Sequence, residues 1–215
     1  MPSRAYHESL WEGLAEGLSP VDNPLREAFL LRQVAALGEH VGHAPRVLDL
    51  GCGEGHFADA LVRQGAEVVA VDVAEEPLRR ARVLYPAIDL RLVEPEAPLS
   101  LEDSSFDAVW AGETIEHVAD TAQWLSELRR VLRSGGLVLL STPDHGPLAR
   151  LRMALGHKAF EARFDPRSDH LRFYTRRALA DLLVDFGFEE VTVFAAGGLP
   201  GARRVLLASG RRRRF

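Results

Sequence analysis

An apolar run that ends in an acid and empties into three closely spaced glycines constrains this chain more than any other stretch: Val47-Leu48-Asp49-Leu50-Gly51-Cys52-Gly53-Glu54-Gly55. The apolar residues read as a buried strand. Glycines carry no Cβ and tolerate positive φ, so the turn after that strand can fold tightly and bring its backbone close to a ligand. Phe57, Ala60 and Leu61 follow at helical spacing, and Gly65 supplies a helix stop. The unit is a strand, a glycine loop and a helix.

A second acid strengthens this reading. Glu67-Val68-Val69-Ala70-Val71-Asp72 is the next buried strand, with Asp72 at its carboxyl end, about twenty residues beyond the loop, where mononucleotide-binding folds place a ribose-binding carboxylate. The competing role for Asp72 is to cap the helix that holds Pro77, Leu78 and Ala81. Dinucleotide-binding folds use G-x-G-x-x-G to set a helix amino end against a pyrophosphate. Here the third glycine comes one residue early and His56 stands in its slot. Asp49, just before the turn, is awkward beside a pyrophosphate and suits a ligand with an ammonium group. The spacing points away from NAD, and an NAD(P)-dependent oxidoreductase is the alternative from another class.

The rest of the chain reads as α/β. Residues 8–40 carry Leu10, Leu14, Leu18, Leu25, Phe29, Leu30, Val34 and Leu37 at helical spacing, broken at Ser19-Pro20, as a helical preface. Strands are expected at 46–50, 67–72, 88–93, 106–111 and 137–141, with helices between them as right-handed crossovers. Asp120 to Ser134 reads as a helix, capped by Asp120 and ended by Gly135-Gly136; Thr175 to Phe186 gives the last helix, and strands at 188–194 and 204–208 close the sheet. The expected fold is a doubly wound, mostly parallel, seven-stranded Rossmann-like sheet with helices on both faces. We read 215 residues with 47% hydrophobic content as one domain. Its parts are a helical cap (1–44), a ligand-binding core (45–141), a lid insertion (142–175), a closing helix and strands (176–209) and a basic tail (210–215).

Charge and cysteine content exclude several classes. The single cysteine, Cys52, rules out an internal disulfide framework and argues against a thiolate metal cluster. No run of eighteen apolar residues or charged-then-apolar amino terminus occurs, so the expectation is a cytoplasmic chain without membrane insertion. A formal net charge of −5 argues against nucleic acid as partner. Residues 150–177 nevertheless hold eight Arg or Lys against three acids, and Arg211 to Arg214 form a second cluster, read as a solvated tail.

Four motifs, Asp49 to Gly55, Asp72, Ser105-Phe106-Asp107-Ala108-Val109 and Glu113-Thr114-Ile115-Glu116-His117-Val118, resemble in order and spacing the class I S-adenosylmethionine-dependent methyltransferases. The resemblance is to the small-molecule subgroup that includes ubiquinone-biosynthesis O-methyltransferases, and it covers roughly residues 45–145. It implies S-adenosylmethionine as cofactor, S-adenosylhomocysteine as product and an antiparallel closing strand. Asp49 and the loop of Gly51, Cys52, Gly53 and Gly55 would hold the methionine moiety, Asp72 the ribose, and Val73 one face of the adenine. The alternation of Ile88, Leu90 and Leu92 makes Glu94 the acid for the adenine amino group, with Glu96 the alternative because Pro95 lacks the N–H that relatives aim at adenine. Ala111 and Gly112 match positions whose backbone approaches the methionine part.

Glu113, Glu116 and His117 match residues that resemble a divalent-metal site in some quinone-pathway relatives. We read them as lining and orienting the pocket, with no metal. Candidate bases are His117, His145 and His170, each with a near-neutral ordinary pKa. The insertion and the amino-terminal helices are expected to cover the site, with Arg150, Arg152 and Arg163 selecting an anionic acceptor. Trp11 is read as a helix-face core residue, the alternative being that Tyr6 and Trp11 close over the cofactor. The expected activity is methyl transfer to a small molecule at oxygen. A non-catalytic cofactor-binding module, and a tRNA or protein methyltransferase, are the other readings.

Overall fold

A computed structural model describes residues 4–14, 23–165, 168–199 and 203–214. Leu18, the Ser19-Pro20 break and Arg167 lie outside the described residues. Seven strands form one sheet in the order β3-β2-β1-β4-β5-β7-β6: β1 Arg46–Leu50, β2 Glu67–Asp72, β3 Asp89–Leu92, β4 Phe106–Gly112, β5 Leu132–Pro143, β6 Phe188–Ala196 and β7 Val205–Arg212. β1 pairs parallel with β2 and β4, β2 with β3, and β4 with β5, whereas β7 runs antiparallel to both β5 and β6. The predicted doubly wound sheet and its antiparallel closing strand are present.

Helices cover both faces because successive strand side chains point to opposite sides. On one face Leu48, Leu50, Val109 and Val138 pack against helices α5 (Thr121–Val131) and α8 (Arg176–Asp185) through Leu125, Leu128, Leu179 and Leu183. On the other, Val47, Ala108, Trp110 and Leu139 meet Phe29, Leu30, Val34 and Leu37 of α2 (Asn23–Val41) and Leu61 of α3 (His56–Arg63). Each fully buried leucine contributes about 1.5–3 kcal/mol of transfer free energy. Asp120 accepts from the Gln123 N–H and Thr175 from the Ala178 N–H, as expected of N-caps.

Two expectations at the sheet's back edge are corrected. The helix predicted to run to Ser134 stops at Val131, and Leu132 already opens β5. Gly135 and Gly136 sit inside that strand and do not cap the helix. Gly135 takes φ +79°, and a Cβ on Gly136 would stand 2.9 Å from the Arg133 carbonyl and 3.0 Å from that of Asp107, so the pair lets β5 bulge past β4. The arginine cluster is not wholly a tail either. Arg211 and Arg212 extend β7, opposite Leu137 and Phe188. Arg211 donates to the Gly135 carbonyl and the Glu190 carboxylate, and Arg212 to the Leu132 carbonyl. These bonds fix two of the four arginines that were read as a solvated tail.

The amino-terminal helix α1 (Arg4–Glu12) buries no residue. Polar contacts hold it instead. Arg4 donates to the carbonyls of Val73 and Val93 and to Glu94, and Glu8 accepts from the first N–H groups of α4 (Glu75–Leu84). Arg80, 7% exposed, donates to the Trp11 and Leu14 carbonyls and pairs with Glu54 and Glu76. The helix is thereby held beside the carboxyl edge of β2 and β3.

Candidate active site

The carboxyl ends of β1, β2, β3 and β4 open on a cavity of about 380 Å³, the edge where open α/β sheets bind ligands. Leu50, Gly51, Asp72, Val73 and Glu94 form its floor, Glu113, Thr114 and His117 one wall, and His7, Leu10, Trp11 and Leu14 its cover. Trp11 is therefore not a core residue. Its ring lies over the glycine loop, so that a Cβ on Gly53 would approach it to 3.0 Å.

The loop is fastened by the strands beneath it. Gly51 and Cys52 donate to the Val71 carbonyl at 2.8 and 3.0 Å. Gly53 donates to Asp72 Oδ2, and Ala74 to Asp72 Oδ1, both at 2.9 Å, so Asp72 ties the loop to β2 while lining the cavity. Gly51 holds φ +78°, and a Cβ there would meet Thr114 Oγ1 at 2.6 Å. Gly51→Ala is expected to destabilise the chain by about 1–3 kcal/mol through backbone strain and to weaken cofactor binding, read by thermal denaturation and calorimetry. An unchanged melting temperature would contradict this placement.

Asp49 is 1% exposed beneath the loop. One carboxylate oxygen has no partner, and burial, then Asp72, pushes its pKa up to about 8 against the help of the Ala58 N–H. Such a group lacks a counter-cation. The Cys52 thiol is buried, and burial, then Asp72 and Asp49, pushes its pKa up, which disfavours the thiolate.

Around the cavity the charge is one-sided. Seven acids and no arginine or lysine line it among the described residues. Arg150 and Arg152, predicted to select an anionic acceptor, are exposed and stand outside this lining; of the Arg163 side chain nothing is described. Glu96 accepts from the N–H groups of Ala119 and Asp120, at 2.9 and 3.0 Å. Glu94 pairs with Arg4 at 2.9 Å.

Three histidines separate by position. His117 lines the cavity, and its Nδ1 lies 3.0 Å from the Asp169 carbonyl and 3.4 Å from the Asp169 carboxylate. A carbonyl only accepts, so Nδ1 carries the proton and Nε2 the lone pair. Burial lowers the pKa of His117, more than Asp169 raises it. His145 is buried against the Tyr174 carbonyl and the Phe173 ring, outside the cavity lining. His170 stacks edge-on against His117, with ring centroids 4.8 Å apart.

Glu116 is 1% exposed, and burial, then Glu113, pushes its pKa up to about 8. One of its oxygens accepts from Thr142, and its carbonyl accepts from Leu171 and Arg172, clipping the segment after Asp169 to the single 3-10 turn Ile115–His117. Ligand atoms of Glu116, His117 and His170 gather within 4.8 Å of one another. That is wider than the roughly 3.4 Å between donors on a tetrahedral zinc ion. Glu113 is turned elsewhere: it accepts from Ser141 at 2.9 Å and lies 3.6 Å from Arg26. Glu113 is not a member of the Glu116, His117 and His170 group.

Of the residues singled out in the sequence, Gly51, Asp72, Val73, Glu94 and His117 line the cavity, whereas Ala111 is fully buried in β4 and a Cβ on Gly112 would stand 2.7 Å from the Trp110 ring. Sequence reasoning missed His7, Thr114, Arg26 and Asp169. Thr114 stood within a recognised motif, but no local pattern marked the other three.

A family model described as a methyltransferase domain matches residues 23–193. The chain is 36% identical over 181 residues to a protein of Ruegeria pomeroyi named ubiquinone biosynthesis O-methyltransferase, covering 79% of this chain and 72% of that one. A Cereibacter sphaeroides protein of the same name is 33% identical over the same coverage. Among solved structures, an S-adenosylmethionine-dependent methyltransferase from Mesorhizobium loti matches with a TM-score of 0.64 at 23% identity, over 87% of this chain and 98% of that one. The YcgJ protein of Bacillus subtilis matches with 0.67 at 16%, over 90% and 100%. Fold and glycine-loop cavity define an α/β cofactor-binding protein. The chain belongs to the class I S-adenosylmethionine-dependent methyltransferases, and S-adenosylmethionine is its cofactor.

Proposed function

We propose that this methyltransferase methylates a small-molecule acceptor at oxygen, with His117 as general base. The observation that carries the reading is the His117 imidazole in the cavity wall, fixed through Nδ1 by Asp169 so that Nε2 accepts a proton. The names of the relatives at 33–36% identity support oxygen as the methylated atom.

The residues present fit the cofactor. An acid-lined cavity and the orphaned Asp49 carboxylate suit a ligand with ammonium and sulfonium charges, Asp72 suits vicinal hydroxyls, and Val73 and Glu94 suit adenine. Bound there, S-adenosylmethionine supplies a methyl carbon made electrophilic by its sulfonium. The chain's own contribution is positional. Trp11, Leu10 and Leu14 exclude water, and the fixed loop and wall hold acceptor and methyl in line, an arrangement that can lower a barrier by up to about 7–11 kcal/mol. His117 Nε2 takes the proton of the acceptor hydroxyl, leaving that oxygen nucleophilic toward the methyl group the cofactor would supply. Asp169 keeps the tautomer and stabilises the imidazolium that forms. Glu113 and Glu116 position the wall, through Ser141 and Arg26 and through Thr142.

Methyl-labelled S-adenosylmethionine offered with a panel of phenolic acceptors tests the reading. Label in an extractable methyl ether, retained after treatment with a metal chelator, is the expected result. Label confined to tRNA or protein would replace the acceptor class, and intact cofactor binding with no transfer to any acceptor would leave a binding module.

A further inference from the structure

His117 and the acid that orients it lie far apart in the sequence, and the shorter contact between them runs to a main-chain carbonyl of residue 169. The backbone there must therefore be held in place. No regular element holds it. Two short helices, α6 (Pro147–Leu155) and α7 (His157–Arg163), come before it and α8 comes after, while residues 169–175 form neither helix nor strand.

The segment has one main-chain anchor. Leu171 and Arg172 donate to the Glu116 carbonyl at 2.8 and 3.1 Å, and because both bonds end on a single oxygen they leave the segment free to turn about it. The Arg172 side chain supplies a second anchor. Its Nε donates to Thr121 Oγ1 at 2.8 Å and its Nη2 to the Ala119 carbonyl. A guanidinium is planar, so two donors on two fixed oxygens set direction as well as distance. Those oxygens are fixed: Thr121 opens α5, and the N–H groups of Ala119 and Asp120 donate to the Glu96 carboxylate at 2.9 and 3.0 Å. Both acceptors of the guanidinium are uncharged, so it acts here by geometry and not by pairing with a carboxylate.

We infer that Arg172 is a positioning residue of the site, holding Asp169 against His117 Nδ1 and so keeping Nε2 open to the acceptor proton. This rests on the reading of His117 as the base. Arg172 is exposed and stands outside the cavity lining, so it acts through Asp169 and not on cofactor or acceptor. Without the fork the segment turns about the Glu116 carbonyl. Three residues away, that motion parts the Asp169 carbonyl and carboxylate from a ring nitrogen they meet at 3.0 and 3.4 Å. The other titratable groups near the ring are His170, edge-on at 4.8 Å, His7 of the cover and Glu116 of its own turn.

Arg172→Ala, set beside the wild type and His117→Ala, tests the inference. Its kcat is expected to fall about tenfold to a hundredfold, the scale of loss that a misplacement of about 1 Å brings, with S-adenosylhomocysteine affinity unchanged. Nitrogen-15 shifts of the His117 ring, read by nuclear magnetic resonance on the ligand-free chain, should pass from the Nδ1-protonated pattern to a mixture of tautomers. The ring should also titrate at lower pH, because Asp169 raises its pKa in the wild type. Arg172→Gln, too short to span both oxygens, carries the same test if the alanine variant fails to fold. Wild-type ring shifts in the variant would overturn the proposal whatever its kcat, since a loss of activity alone would mark a merely structural arginine. So would a wild-type kcat in the variant when His117→Ala is impaired. If His117→Ala itself keeps wild-type kcat, the base is misassigned, and the ring shifts still decide whether Arg172 places Asp169.

Discussion

Asp49→Asn is expected to flatten the pH dependence of the ligand-free chain's stability and to weaken S-adenosylmethionine and S-adenosylhomocysteine binding at least tenfold, about 1.4 kcal/mol. Both effects come from one buried carboxylate. In the folded chain Asp49 has a pKa of about 8, against 3.8 for an ordinary aspartate. Between these values the folded state keeps a proton that the unfolded state has lost. The unfolded state then binds fewer protons, so stability falls as pH rises through that window and is unaffected below it. The slope for one such proton is at most about 1.4 kcal/mol per pH unit. Asparagine removes this contribution, leaving Glu116 and Asp72, whose pKa values are also raised, to give the remainder. Thermal denaturation from about pH 5 to about pH 8 reads the first effect, calorimetry the second. A variant with the wild-type pH slope and wild-type affinity would show that Asp49 ionises freely and meets no cation.

His117→Ala is expected to lower kcat by about 10²- to 10⁴-fold, the usual range for a general base, with S-adenosylhomocysteine affinity retained. In the wild type, the kcat profile should be flat at neutral pH and fall on the acid side, at a pKa below the ordinary imidazole value, because burial disfavours the charged ring. Asp169→Asn gives a second readout: its carboxylate raises the His117 pKa, so its removal should shift the acid limb to still lower pH while leaving the main-chain hydrogen bond in place. A His117→Ala variant with wild-type kcat would transfer the role to another group or to none.

What the sequence made legible follows the range of the interactions. Asp49, Gly51 and Asp72 were legible as candidates because a strand, a glycine turn and a strand-end acid are each written in consecutive residues; of the three, Gly51 and Asp72 line the cavity and Asp49 lies beneath the loop. The parallel, doubly wound class followed from alternating strands and helices; the order of the strands did not. The Gly135-Gly136 pair misled because a helix stop and a strand bulge both need glycine; the choice falls to pairing between Phe106 and Leu132, which no local pattern reports. Trp11 misled in the same way, since helical spacing marks an inward face without saying whether core or cavity lies there. The partner of His117 is 52 residues away, and Asp169 becomes visible only when Leu171 and Arg172 donate to the Glu116 carbonyl.

Calorimetric titration of S-adenosylhomocysteine and S-adenosylmethionine into the wild type and Asp72→Ala, with NADH as control, tests the central claim most directly. The cavity predicts that the wild type binds both sulfur ligands and not NADH, and that the substitution weakens binding at least about tenfold. Binding of NADH, or of neither sulfur ligand, would contradict it.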